Sequence, residues 1–259
     1  MKRILYMLDY GTSDTEALRL MRALSDAGEP ELTGLYVEDE DLERAMRLPG
    51  LAEVNVRQKG AAALQPGQLQ QDLRAHADTT RSLFERSASR LDITCTFRRI
   101  RGRTGEAVVD AAATSDLVVV TRPLRAFGLR ARQAAQFDAL IRAHSNVFFV
   151  NEPWSSGSSI VVLVDGEAHE QRHALRLARR LAEVEGLPLV AGSPVAAPVA
   201  AADRTARLDA WTQRGIVDLC EAEDARLLVL PELEQIDWQQ LVPALAERLS
   251  CSVLKVAAR

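Results

Sequence analysis

Cysteine and aromatic residues are scarce in this chain of 259 residues. Aromatic residues make up 5% of it, too few for us to expect a surface that stacks nucleic-acid bases. The three cysteines, Cys95, Cys220 and Cys251, lie far apart and form no CxxC pair. An odd number of isolated cysteines is typical of buried, reduced thiols in a cytoplasmic protein.

A strong net charge and long apolar segments are also missing. The formal net charge of -4 gives no reason to expect a nucleic acid or an anionic membrane as partner. After Lys2 and Arg3, five apolar residues precede Asp9, too few for a signal peptide, and no later run approaches membrane-spanning length. With 47% hydrophobic and 26% charged residues, we expect a well-packed cytoplasmic protein that binds neither membrane nor nucleic acid.

Short apolar runs alternate with amphipathic stretches through the first half of the chain. The runs that predict strands span residues 3–8, 31–37, 92–100, 116–120 and 146–150. Between most of these strands, apolar residues at helical spacing predict helices. Residues 38–67, rich in acids, prolines and glycines, are expected to form a long excursion. Because alternating strands and helices form βαβ units, we predict an α/β fold, a doubly wound parallel sheet with helices on both faces.

The second half of the chain repeats the pattern of the first. "SIVVLVDG" resembles "KRILYMLDYG", and "ALRL" occurs in both halves. Matching residues are 156 to 157 positions apart early in the copies but about 106 to 110 apart later, so the second copy lacks roughly 50 residues. We predict a first domain at 1–151, a linker at 152–158 and a shortened second domain at 159–259. A Pro/Ala-rich connector is expected to replace most of its second helix and third strand.

Several stretches occur in a characteristic order. A strand ending in Asp-x-Gly, an amphipathic helix and "LTGLYVEDE" precede "RIRGRTGEAVVDAAATSDLVVV" and "DALIRAHSNVFFV". This series is similar to the universal stress protein family over nearly all of residues 2–151 and, more weakly, over 158–257. The resemblance implies a five-stranded parallel sheet per domain, ordered 3-2-1-4-5, with the two domains paired through their last strands as an intramolecular pseudo-dimer. It also implies that some members bind ATP, through the Asp after strand one, backbone near the end of strand two, and a glycine-rich stretch after strand four.

A ligand crevice is expected between the first and fourth strands, where the strand order reverses. The candidate nucleotide- or anion-binding residues are Asp9, Tyr10, Gly11, Thr12, Val37, Gly102, Thr121, Arg122 and Arg125. For Asp9, and for its counterpart Asp165, the alternative is that the carboxylate caps the following helix. For Gly102, the alternative is a role in the turn into the next helix.

The stretch after the fourth strand departs from the family's ATP-binding pattern. Only Gly128 is present, and Gln133 and Ala134 stand at the expected Gly-Ser position. Glycines are needed there because the backbone must approach phosphate closely and cradle it with N–H groups. The second copy has no glycine there and carries three acids that would repel phosphate: Glu232, Glu234 and Asp237. No cofactor is therefore assigned with certainty, and ATP or another small anionic ligand is an expectation for the first repeat alone.

Arginines crowd the loop in which glycines are missing. They are Arg122, Arg125, Arg130 and Arg132. Guanidinium groups grip phosphates and carboxylates, which favours an anion site. Alternatively, they pair with the acids of "EDEDLE" at 38–43, which leave the second strand at the same edge of the sheet, and so close the crevice. Further arginines could extend the basic rim: Arg99, Arg101 and Arg103.

Residues 169–173 spell HEQRH, the HExxH pattern of helical zinc peptidase sites. The aligned stretch of the first copy carries no metal-ligand pattern, and Arg172 lies inside the motif. No third ligand is placed by any other signal. We therefore expect a helix start here, with no metal ligand and no catalytic residue.

Three functions from different classes follow from these patterns. The favoured one is a non-catalytic, cytoplasmic, universal stress protein-like regulatory protein that binds a protein partner or associates with itself. The alternative is a nucleotide-binding protein with slow ATPase activity through the first repeat. A zinc hydrolase is the third and least favoured.

Overall fold

The computed structural model describes residues 1–8, 15–25, 28–40, 44, 52–55, 60–63, 66–122, 140, 146–151, 154, 156–165, 171–195, 198–233 and 236–257. Its strands are β1 (Arg3–Met7), β2 (Glu31–Asp39), β3 (Ala52–Asn55), β4 (Gly60–Ala63), β5 (Cys95–Gly102), β6 (Leu117–Arg122), β7 (Val147–Asn151), β8 (Ser159–Leu163), β9 (Leu189–Ser193), β10 (Arg204–Arg207), β11 (Ala225–Pro231) and β12 (Ser252–Val256). Its helices are α1 (Thr15–Leu24), α2 (Pro66–Arg90), α3 (Thr104–Ala112), α4 (Arg172–Glu185), α5 (Gln213–Ala222) and α6 (Trp238–Arg248). None of these helices is both long and apolar enough to cross a bilayer.

Ten of the strands form one sheet, in the order β10-β9-β8-β11-β12-β7-β6-β1-β2-β5. The first half of the chain contributes β5-β2-β1-β6-β7, all parallel, which confirms the order 3-2-1-4-5. The second half contributes β10-β9-β8-β11-β12, parallel and in the same order. The predicted doubly wound α/β fold is confirmed.

Alternate residues of each strand enter two apolar core layers, one on each face of the sheet. In β1, Ile4 and Tyr6 belong to the first layer and Leu5 to the second. The first core layer is covered by α1, α2 and α4, and the second by α3, α5 and α6. Both layers contain residues of both repeats, so neither repeat has a separate hydrophobic core.

The last strands of the two halves meet at a seam in the middle of the sheet. There β7 and β12 pair antiparallel. Two polar side chains fasten the ends of this pair. Asn146 Oδ1 accepts a hydrogen bond from the backbone N–H of Ala257 at 2.9 Å, and Ser252 Oγ accepts one from that of Asn151 at 2.9 Å.

A buried carboxylate connects both repeats and the segment between them. The side chain of Glu185, at the end of α4, is 3% exposed. Its Oε1 accepts a hydrogen bond from Arg19 Nη2 of α1 at 2.5 Å. Its Oε2 accepts from Trp154 Nε1 at 2.9 Å and from Arg226 Nη1 at 3.0 Å. We call these four side chains the Glu185 cluster.

The shortened repeat keeps its third strand, so the expectation that most of it is lost was wrong. β10 has four residues and pairs with β9, whereas no helix occurs among residues 198–203 just before it. Instead Val199 and Ala202 pack against the first core layer, and Arg179 of α4 forms an ion pair with Asp203 at 2.9 Å. β10 is an edge strand, so its hydrogen bonds within the sheet come from β9 alone. The short connector is enough to bring these four residues beside β9.

The excursion at 38–67 also contains structure that its composition did not predict. β2 continues to Asp39, and β3 and β4 form a separate antiparallel pair. α2 begins at Pro66, inside the predicted excursion, because proline is well tolerated in the first turn of a helix.

Candidate functional site

The predicted crevice lies at the carboxyl edge of the first repeat, where β1 and β6 are parallel neighbours. Thr121 and Arg122 are the last two residues of β6, and Thr121 is buried. Asp9, Tyr10, Gly11, Thr12 and Arg125 lie outside the described residues, as do Arg130 and Arg132. Their place in the site therefore stays a prediction.

Val37 and Gly102 end up at this same edge. In the β2–β5 pair, Val37 lies opposite Ile100, and Gly102 lies opposite Asp39. The backbone N–H of Leu8 donates to the carbonyl oxygen of Leu35 at 2.8 Å, which holds the chain leaving β1 against β2. The structure thus brings Val37, Gly102 and Thr121 to one edge of the sheet.

Glycine is not structurally required at position 102. Its φ lies outside the left-handed region, and among the described residues a Cβ added there would contact Ala107 Cβ at an ordinary 3.8 Å. The interpretation that Gly102 serves the turn into α3 therefore has no support from its backbone or its packing.

Each arginine of the predicted basic rim pairs with a neighbouring acid. The ion pairs are Arg99 with Glu38, Arg101 with Glu40, and Arg103 with Glu106. Arg99 Nε donates to Glu38 Oε1 at 2.7 Å, and Arg101 lies 3.9 Å from a Glu40 oxygen. Such partly exposed pairs contribute little stability, but they cancel charge that would otherwise attract an anion. The first acids of "EDEDLE" are thus engaged by β5, on the side of the crevice away from β6.

At the corresponding edge of the second repeat, several backbone N–H groups are bonded to residues of the same repeat. Gln171, just before α4, is 4% exposed, and its Oε1 accepts a hydrogen bond from the backbone N–H of Asp165 at 3.0 Å. The N–H of Val164 donates to the carbonyl oxygen of Gly192 at 2.9 Å, and that of Glu232 donates to Val256 at 2.9 Å. Three backbone donors at this edge, the N–H groups of Val164, Asp165 and Glu232, are therefore already satisfied within the described part of the chain.

HEQRH contains a helix start, as its alignment with the first copy predicted. α4 begins at Arg172, and His173 in its first turn is 6% exposed. His169 and Glu170 lie outside the described residues. Within the described part of the chain, no group of three or more His, Cys, Asp or Glu side chains could hold a metal ion. The motif's middle residue, Gln171, has the structural role, and sequence reasoning missed it.

Comparisons with known proteins show the fold. A universal stress protein from Archaeoglobus fulgidus superposes with a TM-score of 0.57 at 10% sequence identity, over 98% of this chain and 96% of that one. A protein of unknown function from Pseudomonas aeruginosa superposes with a TM-score of 0.59 at 14% identity, over 100% of this chain and 93% of that one. No protein-family model matches the chain, and no curated protein sequence matches it. The chain thus has a universal stress protein-like fold, as the resemblance implied.

Proposed function

We propose that this protein is a non-catalytic, universal stress protein-like regulatory protein of the cytoplasm, which acts by binding a protein partner or by self-association. The observation that carries the proposal is that backbone donors at the carboxyl edge of the second repeat are already bonded within it. Gln171 Oε1 accepts a hydrogen bond from the N–H of Asp165 at 3.0 Å, so this donor, just after β8, is not available to a phosphate. Its strands are nevertheless retained as half of a continuous sheet, which is what a binding surface or scaffold requires.

The first repeat supports the same proposal from its charges. Phosphate binding needs backbone donors from glycines, or cations that are free to turn toward the ligand. The sequence lacks the glycines after β6, and the β5 arginines are engaged by acids. A strong nucleotide site would have to rest on Asp9 and on the arginines that follow β6.

A calorimetric titration of the full chain with ATP and Mg²⁺ tests this proposal. We expect no saturable heat from the unaltered protein. Saturable binding that is lost in both Asp9→Ala and Arg122→Ala would overturn it. Glu29→Ala, a substitution of an exposed residue at the opposite edge of the sheet, is the matched control because it lies before the amino end of β2.

The alternative, a nucleotide- or anion-binding first repeat, is favoured by one feature. α3 begins at Thr104, directly beyond β5 at the carboxyl edge, and the side chain of its N-cap residue, Arg103, makes no capping hydrogen bond. The first N–H groups of a helix and its positive dipole end attract anions. Gly102, which has no side chain, lies just before this turn. Saturable ATP binding with slow phosphate release would support this alternative.

The mode of action is tested separately. Light scattering at several protein concentrations measures self-association, and a monomer at every concentration leaves the protein partner as the proposed mode. Cross-linking in a cell extract, with an unrelated protein of similar charge as control, then shows whether a specific partner is captured. If neither self-association nor a specific partner is found, the binding-protein proposal is wrong.

A further inference from the structure

The two outer strands of the ten-stranded sheet differ in length. β10 forms one side with four residues, whereas β5 forms the other with eight. Every residue of β5 pairs with β2, from Cys95 opposite Leu32 to Gly102 opposite Asp39. Within the described part of the chain, β2 is the only strand that pairs with β5. Because an edge strand presents a row of unpaired N–H and C=O groups on its outer side, β5 is a template for one more strand.

The two faces of β5 are covered, but its outer side is exposed. Cys95 and Phe97 pack against the first core layer, and Ile100 packs against the second. The Arg81 guanidinium of α2 also lies over the Phe97 ring, 5.8 Å from its centroid. Even so, none of the eight residues of β5 is buried, whereas every residue of β7 and β8 is. The exposed part of β5 is therefore the side on which the sheet ends.

The charged side chains of β5 are all positive. The strand contains three arginines, Arg98, Arg99 and Arg101, and no acid. Arg99 and Arg101 form ion pairs with Glu38 and Glu40. Arg98 is exposed, and among the described residues it has no acidic partner. A carboxylate that an added strand placed opposite Arg98 would therefore meet an uncompensated positive charge, and such cross-strand pairs are stabilising.

The same arginines disfavour a second copy of this chain as the added strand. In a symmetric antiparallel pair of two β5 strands that overlap over all eight residues, Arg98 of each copy would lie opposite Arg99 of the other. Like charges directly opposite each other destabilise a strand pair. The outer side of β5 thus selects against itself and in favour of a strand that carries acids.

We propose that the outer side of β5 binds an extended, acidic segment of a protein partner, which adds to the ten-stranded sheet as one further strand. Backbone hydrogen bonds along β5 provide the affinity, and an acid opposite Arg98 fixes the register of the added strand. This inference rests on the proposed function, because it names the surface and the partner chemistry of the same binding protein.

Selection from a displayed library of random peptides, with the full chain as the target, tests this inference. We expect the enriched peptides to be acidic and rich in β-branched residues. A selected peptide should slow hydrogen exchange of the backbone amides at 95–102 and leave that of β10 unchanged. Arg98→Glu should weaken its binding by about fivefold or more, and a selection against this variant should enrich basic peptides. Arg214→Glu is the matched control, because it reverses the charge of an exposed arginine on α5 of the other repeat and should bind the peptide unchanged.

Three results would overturn the inference. They are a selection that enriches no acidic peptide, a selected peptide that protects amides outside β5, and an Arg98→Glu variant with the original charge preference. The first two are measured on the unaltered protein, so they do not depend on whether a variant folds. A peptide that protects another surface would refute the role of β5 and still support a partner-binding protein. The proposed function fails on a different result, saturable nucleotide binding in the absence of any peptide.

Discussion

Removal of the Glu185 carboxylate should destabilise the whole molecule, because this group connects both repeats. In Glu185→Ala, Trp154 Nε1 loses its acceptor and Arg226 loses its negative partner. The Arg226 side chain is 17% exposed, so its charge cannot be fully rehydrated. It keeps its hydrogen bonds to the carbonyl oxygen of Gly157.

The magnitude follows from the burial of each partner. Removing one member of a buried ion pair costs about 3–5 kcal/mol, because a charge is left without compensation. Arg19 is 42% exposed and can turn to water, so its contribution is small. Arg226 retains other partners, which places the loss at the low end of that range. We therefore expect the free energy of unfolding to fall by about 3 kcal/mol.

Urea unfolding followed by circular dichroism measures this loss. With an m-value of about 3 kcal/mol per M, the unfolding midpoint should fall by about 1 M. Glu183→Ala is the matched control, since Glu183 is exposed and lies in the same turn of α4. If Glu185→Ala costs no more than Glu183→Ala, the Glu185 cluster does not connect the repeats energetically. The double variant with Arg226→Ala should cost clearly less than the sum of the single losses, because both remove one interaction.

Three further predictions concern a tight turn and two titrating groups. Gly157→Ala should lower the melting temperature far more than Gly186→Ala. Both glycines have positive φ, which costs an alanine about 1 kcal/mol. At position 157 the added Cβ would also lie 2.6 Å from a backbone nitrogen, whereas at position 186 it meets open space. Lys255→Met should stabilise the protein at neutral pH, since burial lowers the pKa of Lys255. The unfolded chain then binds the extra proton, so wild-type stability rises with pH between the folded and unfolded pKa values, and urea unfolding across that window should show a flatter slope in the variant. Asp116→Asn should make the stability depend less on pH in the acid range. Hydrogen bonds from the backbone N–H groups of Arg3 and Lys2 lower the pKa of Asp116. The stabilisation by these bonds is lost as the pH falls through the folded pKa, and the variant lacks this titration. Unchanged acid unfolding in this variant would contradict the role of these bonds.

The strands at the centre of the sheet could be predicted from sequence because burial on both faces makes them continuously apolar. β6 and β7, predicted at 116–120 and 146–150, are found at Leu117–Arg122 and Val147–Asn151. β10 lacks this signal: its sequence is RTAR, and three of its four residues are exposed. An edge strand with few buried side chains carries no periodicity to detect. The strand order itself came from the family resemblance and not from the residues.

The carboxyl-edge location of Val37, Gly102 and Thr121 was predictable from sequence, but the contacts at that edge were not. The switch in strand order indicated Thr121 at the end of the fourth strand, whereas Val37 followed from the family resemblance. The pairing of Arg99 with Glu38 depends on the register of β2 against β5, which the sequence does not specify. Gln171 was overlooked because the histidines around it form a known motif, while a single glutamine carries no pattern of its own.

The long-range contacts could not be predicted from the sequence, because they depend on how distant strands pair. Glu185 has the composition of a surface position, an acid at the end of a helix rich in arginine. Only the antiparallel seam brings α1 of the first repeat close enough for Arg19 to reach it.

The central claim is that this universal stress protein-like fold works without a bound nucleotide. Acid extraction of the freshly purified full chain, followed by chromatography of the released small molecules, tests it most directly. We predict far less than one nucleotide per chain. One nucleotide released per chain, lost in Asp9→Ala and retained in Asp165→Ala, would contradict the claim and place the function in the crevice of the first repeat.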